Sequence, residues 1–191
     1  MSDIRGLLSY SPVEVAARQL LGCELTVRGK TVVLIETEAY GGQDDPGSHA
    51  FRGQTGRNQA MFGTPGHLYM YFIYGNHWMA NIVARPAGEP AAILLRSAVP
   101  KALFDHQDRQ SAAHSWIGPG RLCRTLGLGQ SDYGRDLFSD SELRLGLGDA
   151  PAQVLTGPRV GLAQGKGDTI SWRFIDAEWA RFVAKSPLAP L

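Results

Sequence analysis

Residues 68–84 have the sequence LYMYFIYGNHWMANIVA, and this stretch decides the fold. Two runs rich in aromatic and β-branched residues lie on either side of Gly75-Asn76, a pair that suits a tight turn with glycine first. Alternation along the first run puts Tyr69 and Tyr71 on one face and the intervening apolar residues on the other. The pattern predicts an antiparallel β-hairpin with Tyr74 at its tip.

Further strands are predicted on both sides of this hairpin, separated by glycines and other turn residues. They are Glu24–Val27 and Thr31–Tyr40, joined around Arg28-Gly29-Lys30, then Ala91–Val99, and shorter strands near Leu143–Leu147, Gln153–Leu162 and Ser171–Ile175. Ser11-Pro12-Val13-Glu14 predicts a capping box at a helix start, and Gly118–Leu126 predicts a second short helix. Alternating βαβ units are absent, which argues against a parallel, doubly wound sheet.

The composition is that of a globular chain. Hydrophobic residues make up 43% and charged residues 19% of the 191 residues, without a linker, a repeat or a break in composition. We therefore predict an α+β fold: one mixed domain spanning residues 1–191, with a mostly antiparallel curved sheet, peripheral helices and a protruding β-hairpin.

The distribution of charge along the sequence bears on possible partners, and the lack of targeting segments bears on location. The net charge of +1 favours no partner by itself, but residues 46–88 contain no Asp or Glu while including three arginines and three histidines. This acid-free stretch either binds a local anion such as a phosphate backbone, or it lacks acidic residues by chance. Without a signal-peptide pattern or an apolar run of about 18 residues, we expect a cytoplasmic monomer with no membrane contact.

Two acidic residues lie in an otherwise apolar predicted strand. Glu36 and Glu38 are two positions apart, so they share a face with Cα atoms about 6–7 Å apart. They either face solvent or serve a site, where a carboxylate beside aromatic rings suits a general base for water. Tyr40 follows on the same face. Arg96, in another apolar strand, either pairs with one of these glutamates or helps to place a reacting water.

A series of motifs, in order along nearly the whole chain, resembles the alkyladenine (3-methyladenine) DNA glycosylase family. They are the run Ile35 to Gly42 (IETEAYGG), His49, Arg57-Asn58, Met61-Phe62, Pro65-Gly66, Leu68 to Tyr71 (LYMY), Tyr74-Gly75, Asn81, Leu94-Leu95-Arg96, Gly118-Pro119, Leu122-Cys123 and Arg159-Val160-Gly161. Any one of these motifs would be uninformative, but so many in the same order make coincidence implausible.

The resemblance implies a catalytic group at matching positions. Glu38 is expected to be the general base, with Arg96 and the backbone carbonyl of Val160 positioning the water. In the substrate pocket, Tyr40, His49 and Tyr71 are expected to sandwich the flipped base and hydrogen-bond its edge, and Asn81 to exclude guanine by crowding its 2-amino group. Glu36 is assigned a supporting role.

The resemblance also implies how the protein meets DNA. Tyr74 is expected to enter the minor groove and fill the gap left by the flipped nucleotide, and Gly75, Asn76, Arg57 and Arg121 are placed with it as DNA-binding residues. The expected partner is double-stranded DNA that contains damaged purines. Asn76 stands where relatives can carry an apolar residue, and the loop before Arg57 is one residue shorter than in some relatives.

The activity implied is base flipping followed by water-mediated hydrolysis of the N-glycosidic bond of alkylated or deaminated purines, which initiates base excision repair. The substrate class comprises 3-methyladenine, hypoxanthine and ethenoadenine. Flipping costs a few kcal/mol, and aromatic stacking in the pocket returns about 1–3 kcal/mol per base. The motifs contain no Lys as a Schiff-base nucleophile, so we expect a monofunctional enzyme. No cofactor or metal is expected.

Three other functions compete with this one. A carbohydrate glycosidase using Glu36 and Glu38 is disfavoured because such enzymes place their carboxylates on opposite sides of the scissile bond. A non-catalytic DNA-damage-binding protein would keep Tyr74 and the basic residues without needing Glu38. A metalloenzyme using His49, His67 and His77 is disfavoured because no pair has the spacing of metal ligands.

Overall fold

The computed structural model describes residues 3–73, 75–106, 116–183 and 188–191, which form the predicted α+β fold. These residues contain nine strands and five helices. The strands are β1 Glu24–Val27, β2 Lys30–Tyr40, β3 Leu68–Ile73, β4 His77–Ala84, β5 Ala91–Pro100, β6 Leu143–Gly146, β7 Val154–Gly157, β8 Arg173–Asp176 and β9 Ala189–Pro190. The helices are α1 Ile4–Tyr10, α2 Val13–Gln19, α3 Lys101–Asp105, α4 Pro119–Leu126 and α5 Ala180–Val183, with short 3-10 turns at Gln59–Phe62, Gln130–Asp132 and Ala177–Trp179.

One antiparallel sheet contains all nine strands. Its order is β3-β4-β5-β2-β8-β7-β9, and β1 pairs with both β2 and β6. The long strand β2 therefore has β5 along one edge, whereas its other edge pairs first with β1 and then with β8. This arrangement puts β2 in the middle of the molecule.

Strand β2 is buried over eight consecutive residues, from Val32 to Ala39. A strand buried on both faces reads as a continuous apolar run, and Val32 to Ile35 match that description. The pairing of β2 with β5 is irregular between Leu34 and Thr37, so that Glu36 lies opposite Ser97. Such irregularities re-aim side chains and often lie next to active sites. Here the irregular stretch contains Glu36 on β2 and Arg96 on β5.

The structure corrects several details of the predicted elements. Ile73 pairs with His77, so three residues, not Gly75-Asn76 alone, connect β3 to β4. The capping box does not form, because Pro12 is the N-cap of α2 and no side chain caps that helix. Helix α1 was not predicted; Asp3 caps it by accepting a hydrogen bond from the backbone N–H of Arg5.

The described residues contain no helix that is long and apolar enough to cross a membrane. Both cysteines, Cys23 and Cys123, are buried and free. Burial raises the pKa of the Cys23 thiol to about 11 and that of the Cys123 thiol to about 12. Neither thiol is therefore suited to act as a nucleophile near neutral pH.

Candidate active site

A cavity of about 360 Å³ lies over strands β2 to β5. Its walls come from the sheet, from the loops after β2 and β7, and from the start of α4; the lining residues are Tyr40, Gly47, His49, Met61, Tyr69, Tyr71, Ile73, Met79, Asn81, Ala92, Leu94, Arg96, Pro119, Val160, Gly161 and Leu162. Small-molecule pockets have volumes of about 300–1,000 Å³ and are mostly apolar with a few placed polar groups. The cavity fits that description.

The carboxylate of Glu38 is fully buried beside this cavity. Its Oε2 accepts a hydrogen bond from the hydroxyl of Tyr40 at 2.9 Å, and its Oε1 accepts one from the backbone N–H of Val160 at 2.7 Å. Arg96, which lines the cavity, has its Nη1 3.3 Å from the same Oε1. Because a carboxylate has about four lone-pair sites, these three donors leave capacity for one more partner such as water.

Two opposing effects act on the ionisation of Glu38. Burial raises its pKa, and the nearby Glu36 adds to that rise. The positive charge of Arg96 and the hydrogen bonds from Val160 and Tyr40 favour the ionised form and lower the pKa. The net result is a pKa above the ordinary value for glutamate, which increases the basicity of the carboxylate.

Glu36 is also buried, and it anchors Arg96. Its Oε1 accepts hydrogen bonds from Nε of Arg96 at 2.9 Å and from Nε of Arg173 at 2.7 Å, and its Oε2 accepts one from the hydroxyl of Ser97. Since Nε of Arg96 is held by Glu36, its Nη1 is directed to Glu38. The two glutamates and two arginines form a buried group with formal charges that sum to zero.

Aromatic side chains line one side of the cavity. The rings of Tyr69 and Tyr71 lie 5.7 Å apart, and the His49 ring meets Tyr71 edge-on at 4.6 Å. Nδ1 of His49 lies 2.8 Å from the hydroxyl of Tyr69. Burial raises the pKa of Tyr71 to about 12, and burial also raises the pKa of Tyr40 well above its usual value. Both phenols therefore remain neutral hydrogen-bond donors near neutral pH.

His49 and Asn81 contribute polar groups to the same cavity. More than a third of His49 is exposed, yet the desolvation of its ring against the tyrosines and the charge of Arg57 lower its pKa. A neutral imidazole can donate from one nitrogen and accept at the other. Asn81 is 3% exposed, and its side-chain NH₂ donates to the backbone carbonyl of Tyr69 at 3.0 Å.

The predicted DNA-binding residues that the structure describes are close, in sequence or in space, to residues that line the cavity. Gly75 and Asn76 are exposed in the β3–β4 connection, and Tyr74 lies outside the described residues. Arg57 donates to the backbone carbonyl of Phe72 at 2.8 Å, with its guanidinium 6.0 Å from the Tyr71 ring. Arg121 is exposed in the first half of α4.

The structure thus brings Glu38, Arg96, Val160, Tyr40, His49, Tyr71 and Asn81 into one site. The backbone group of Val160 that contacts Glu38 is the N–H, whereas the predicted role of the carbonyl stays a prediction. Among the described residues, no group of three or more His, Cys, Asp or Glu could hold a metal ion.

Sequence reasoning missed Arg173, a partner of Glu36, and also a second buried ion pair of the site, Asp45–Arg159. Both oxygens of Asp45 contact the guanidinium, at 2.6 and 2.8 Å. The two residues are 114 positions apart, and each lies in a loop without apolar periodicity. The only available signal was the position of Arg159 in a motif next to Val160.

The chain is similar to one protein family and to proteins from several bacteria. The family described as Methylpurine-DNA glycosylase (MPG) matches residues 8–179. A Mycolicibacterium fortuitum protein named "Putative 3-methyladenine DNA glycosylase" is 44% identical over 189 residues, covering 92% of this chain and 96% of the relative. Relatives of the same name from Chlorobaculum parvum and Nitrosospira multiformis are 38% and 42% identical, covering 93% and 87% of this chain and 85% and 86% of their own lengths.

Proposed function

The chain belongs to the methylpurine-DNA glycosylase family, and from this premise we propose that it excises alkylated and deaminated purines from double-stranded DNA. It is a hydrolase that acts on N-glycosidic bonds in DNA. The proposed substrates are 3-methyladenine, hypoxanthine and ethenoadenine, each flipped out of the duplex before it is excised. The observation that carries the proposal is the buried carboxylate of Glu38 beside an aromatic cavity large enough for a single base.

In the proposed reaction, Glu38 acts as general base. Water adds its oxygen to C1′ of the sugar while the bond from C1′ to the purine nitrogen breaks, and the departing base takes the bonding electron pair. The proton of the water passes to Glu38. Positive charge develops on the sugar as the base departs, so an ionised Glu38 also stabilises the transition state electrostatically.

Arg96 and the Val160 N–H keep Glu38 ionised and oriented in this scheme. They occupy Oε1, while Tyr40 occupies one site on Oε2, so the remaining capacity of the carboxylate is directed to water. Arg96 is itself held through Nε by Glu36 and is only 12% exposed. Its position is therefore set before substrate arrives, which is the condition for electrostatic preorganisation.

The cavity walls suit a flipped purine. Tyr71 and His49 offer aromatic surfaces on which a base stacks, and a base alkylated on a ring nitrogen carries a positive charge that such rings attract. Among the described residues that line the cavity there is no lysine. We therefore propose a monofunctional enzyme that leaves an abasic site and does not cut the strand.

The test measures base excision by the wild-type protein and by Glu38→Gln. The substrates are end-labelled duplexes that each contain one lesion, either hypoxanthine or ethenoadenine. Release of 3-methyladenine from methylated DNA is measured in parallel. We expect strand breakage only after hot alkali, and a loss of at least about 10²-fold in Glu38→Gln, since a positioned general base contributes about 10²–10⁴-fold.

The control variant is Glu24→Gln, which removes a partly exposed glutamate that does not line the cavity. It should retain the wild-type rate. Tight and selective lesion binding by a wild-type protein that releases no base from any of these substrates would instead identify a damage-binding protein and refute the proposed activity.

A further inference from the structure

The buried pair Asp45–Arg159 is tied to both sides of the active site. The guanidinium of Arg159 is fully buried, and besides Asp45 it donates from Nη1 to the backbone carbonyl of Ala39 at 3.0 Å. Ala39 lies between Glu38 and Tyr40 in β2. Arg159 immediately precedes Val160, whose N–H donates to Glu38. One side chain therefore links the loop after β7 to the strand that carries the proposed base.

The same pair closes the loop that follows β2. Asp45 accepts backbone N–H bonds from Gly41 at 2.9 Å and from Gly47 at 3.0 Å, and Gly47 lines the cavity. Burial alone would raise the pKa of Asp45, but the hydrogen bonds from Arg159 and from these two glycines lower it overall. Asp45 is therefore held as a carboxylate with four N–H donors.

Arg159 also contacts an aromatic wall of the cavity. Its guanidinium carbon lies 4.8 Å from the ring centre of Tyr40 and 5.3 Å from that of Trp172. The surroundings leave little room for movement: a Cβ on Gly167 would lie 2.4 Å from Nη2 of Arg159, and one on Gly47 would lie 2.9 Å from it. The guanidinium is thus packed as well as hydrogen-bonded.

We propose that Asp45 and Arg159 are positioning residues of the base-excision site, which hold the Val160 N–H against Glu38 and the Tyr40 ring at the cavity wall. This inference rests on the proposed function. Neither side chain touches the reacting atoms. Their effect is exerted through two of the three donors that contact Glu38, because both the Val160 N–H and the Tyr40 hydroxyl depend on the backbone and ring that Arg159 holds.

The dependence of the excision rate on pH distinguishes a positioning role of Asp45 and Arg159 from a role in protein stability alone. The groups that face Glu38 come from several elements: Glu36 and Tyr40 from β2, Arg96 from β5, Tyr71 from β3, and Arg173 of β8, which is paired with Glu38 in register and contacts Glu36. Substitution of Asp45 removes none of these groups. If Asp45→Asn loosens the Val160 N–H, Glu38 loses a partner that favours its ionised form, and its pKa rises.

The experiment measures single-turnover base release on a lesion duplex between pH 4.5 and 8, with thermal unfolding and DNA affinity measured on the same samples. For Asp45→Asn we expect a rate of base release lower by about 10–100-fold and a Kd for the lesion duplex changed by less than about threefold. The acidic limb, which is the part of the pH profile where the rate falls as the pH is lowered, should move to higher pH. Arg159→Lys keeps the charge but loses the two-pronged contact, so it should have the same effects.

The matched control is Asp136→Asn, which breaks another Arg–Asp pair, Arg5–Asp136, whose members do not line the cavity. It should lower the unfolding temperature without moving the acidic limb. The proposal is overturned if Asp45→Asn and Arg159→Lys lose rate only in proportion to their unfolded fraction, with the wild-type acidic limb. A wild-type protein without base release would instead refute the proposed function itself.

Discussion

Substitution of Glu36 by Gln tests how the buried charges around Glu38 depend on one another. Glu36 is 1% exposed and accepts hydrogen bonds from Arg96, Arg173 and Ser97. Glutamine keeps the size of the side chain but removes the negative charge. Since the two glutamates and two arginines are balanced in the native protein, the variant leaves one buried positive charge in excess.

The expected loss of stability follows from the cost of an uncompensated buried charge. Breaking a buried ion pair by removing one partner destabilises by about 3–5 kcal/mol. For a protein of this length, 1 kcal/mol corresponds to a shift in Tm of about 2–4 °C, so we expect a decrease of about 6–20 °C. Glu24→Gln, which removes one of the two carboxylates that contact Lys101, should leave the Tm nearly unchanged.

Glu36→Gln should also shift the pH dependence of base excision in a definite direction. The negative charge of Glu36 raises the pKa of Glu38, so its removal lowers that pKa. Because the base must be ionised, the acidic limb of the excision rate should move to lower pH, opposite to the shift expected for Asp45→Asn. The assay is single-turnover base release against pH with parallel thermal unfolding. An unchanged Tm, or an acidic limb displaced to higher pH, would refute the reasoning.

Two further predictions concern single side chains. Tyr40→Phe removes the hydroxyl that donates to Glu38 but keeps the ring, so the acidic limb should move to higher pH with little change in the Kd for a lesion duplex; a normal limb would show that the hydroxyl does not act on Glu38. Gly22→Ala and Gly29→Ala both introduce Cβ at a φ near +80°, but only at Gly22 would it lie 2.0 Å from a backbone oxygen, that of Asp149. Denaturant unfolding should show a loss of about 1–2 kcal/mol for Gly29→Ala and clearly more for Gly22→Ala, and equal losses would contradict the predicted clash.

The sheet could be predicted because its information is local. Alternation and turn residues defined the β3–β4 hairpin, and the apolar run before Glu36 defined β2. The three-residue connection between Ile73 and His77 was not predictable, since register depends on pairing across both strands. Helix α1 is seven residues long, and a helix this short is stabilised mainly by packing that no local pattern reports.

The site was predictable to the extent that its residues stand in recognisable motifs. Glu38 and Arg96 were both identified from the sequence. A contact between them was one of the alternatives considered, because a buried polar group needs a partner. The partners that hold them come from distant parts of the chain: Arg173 is 137 residues from Glu36, and Val160 is 122 residues from Glu38. Such pairs are created by tertiary packing, so local spacing carries no information about them.

The pairing of β2 with β8 has a consequence for synthesis of the protein on the ribosome. Glu36 is translated 137 residues before Arg173, an interval of about 7–27 s at about 5–20 residues per second. Throughout that interval Glu36 lies in the emerging chain without the guanidinium of Arg173. Residues 36–38 of β2 thus lack their edge partner until β8 is made, and during that time this stretch is a potential site of aggregation or of chaperone binding.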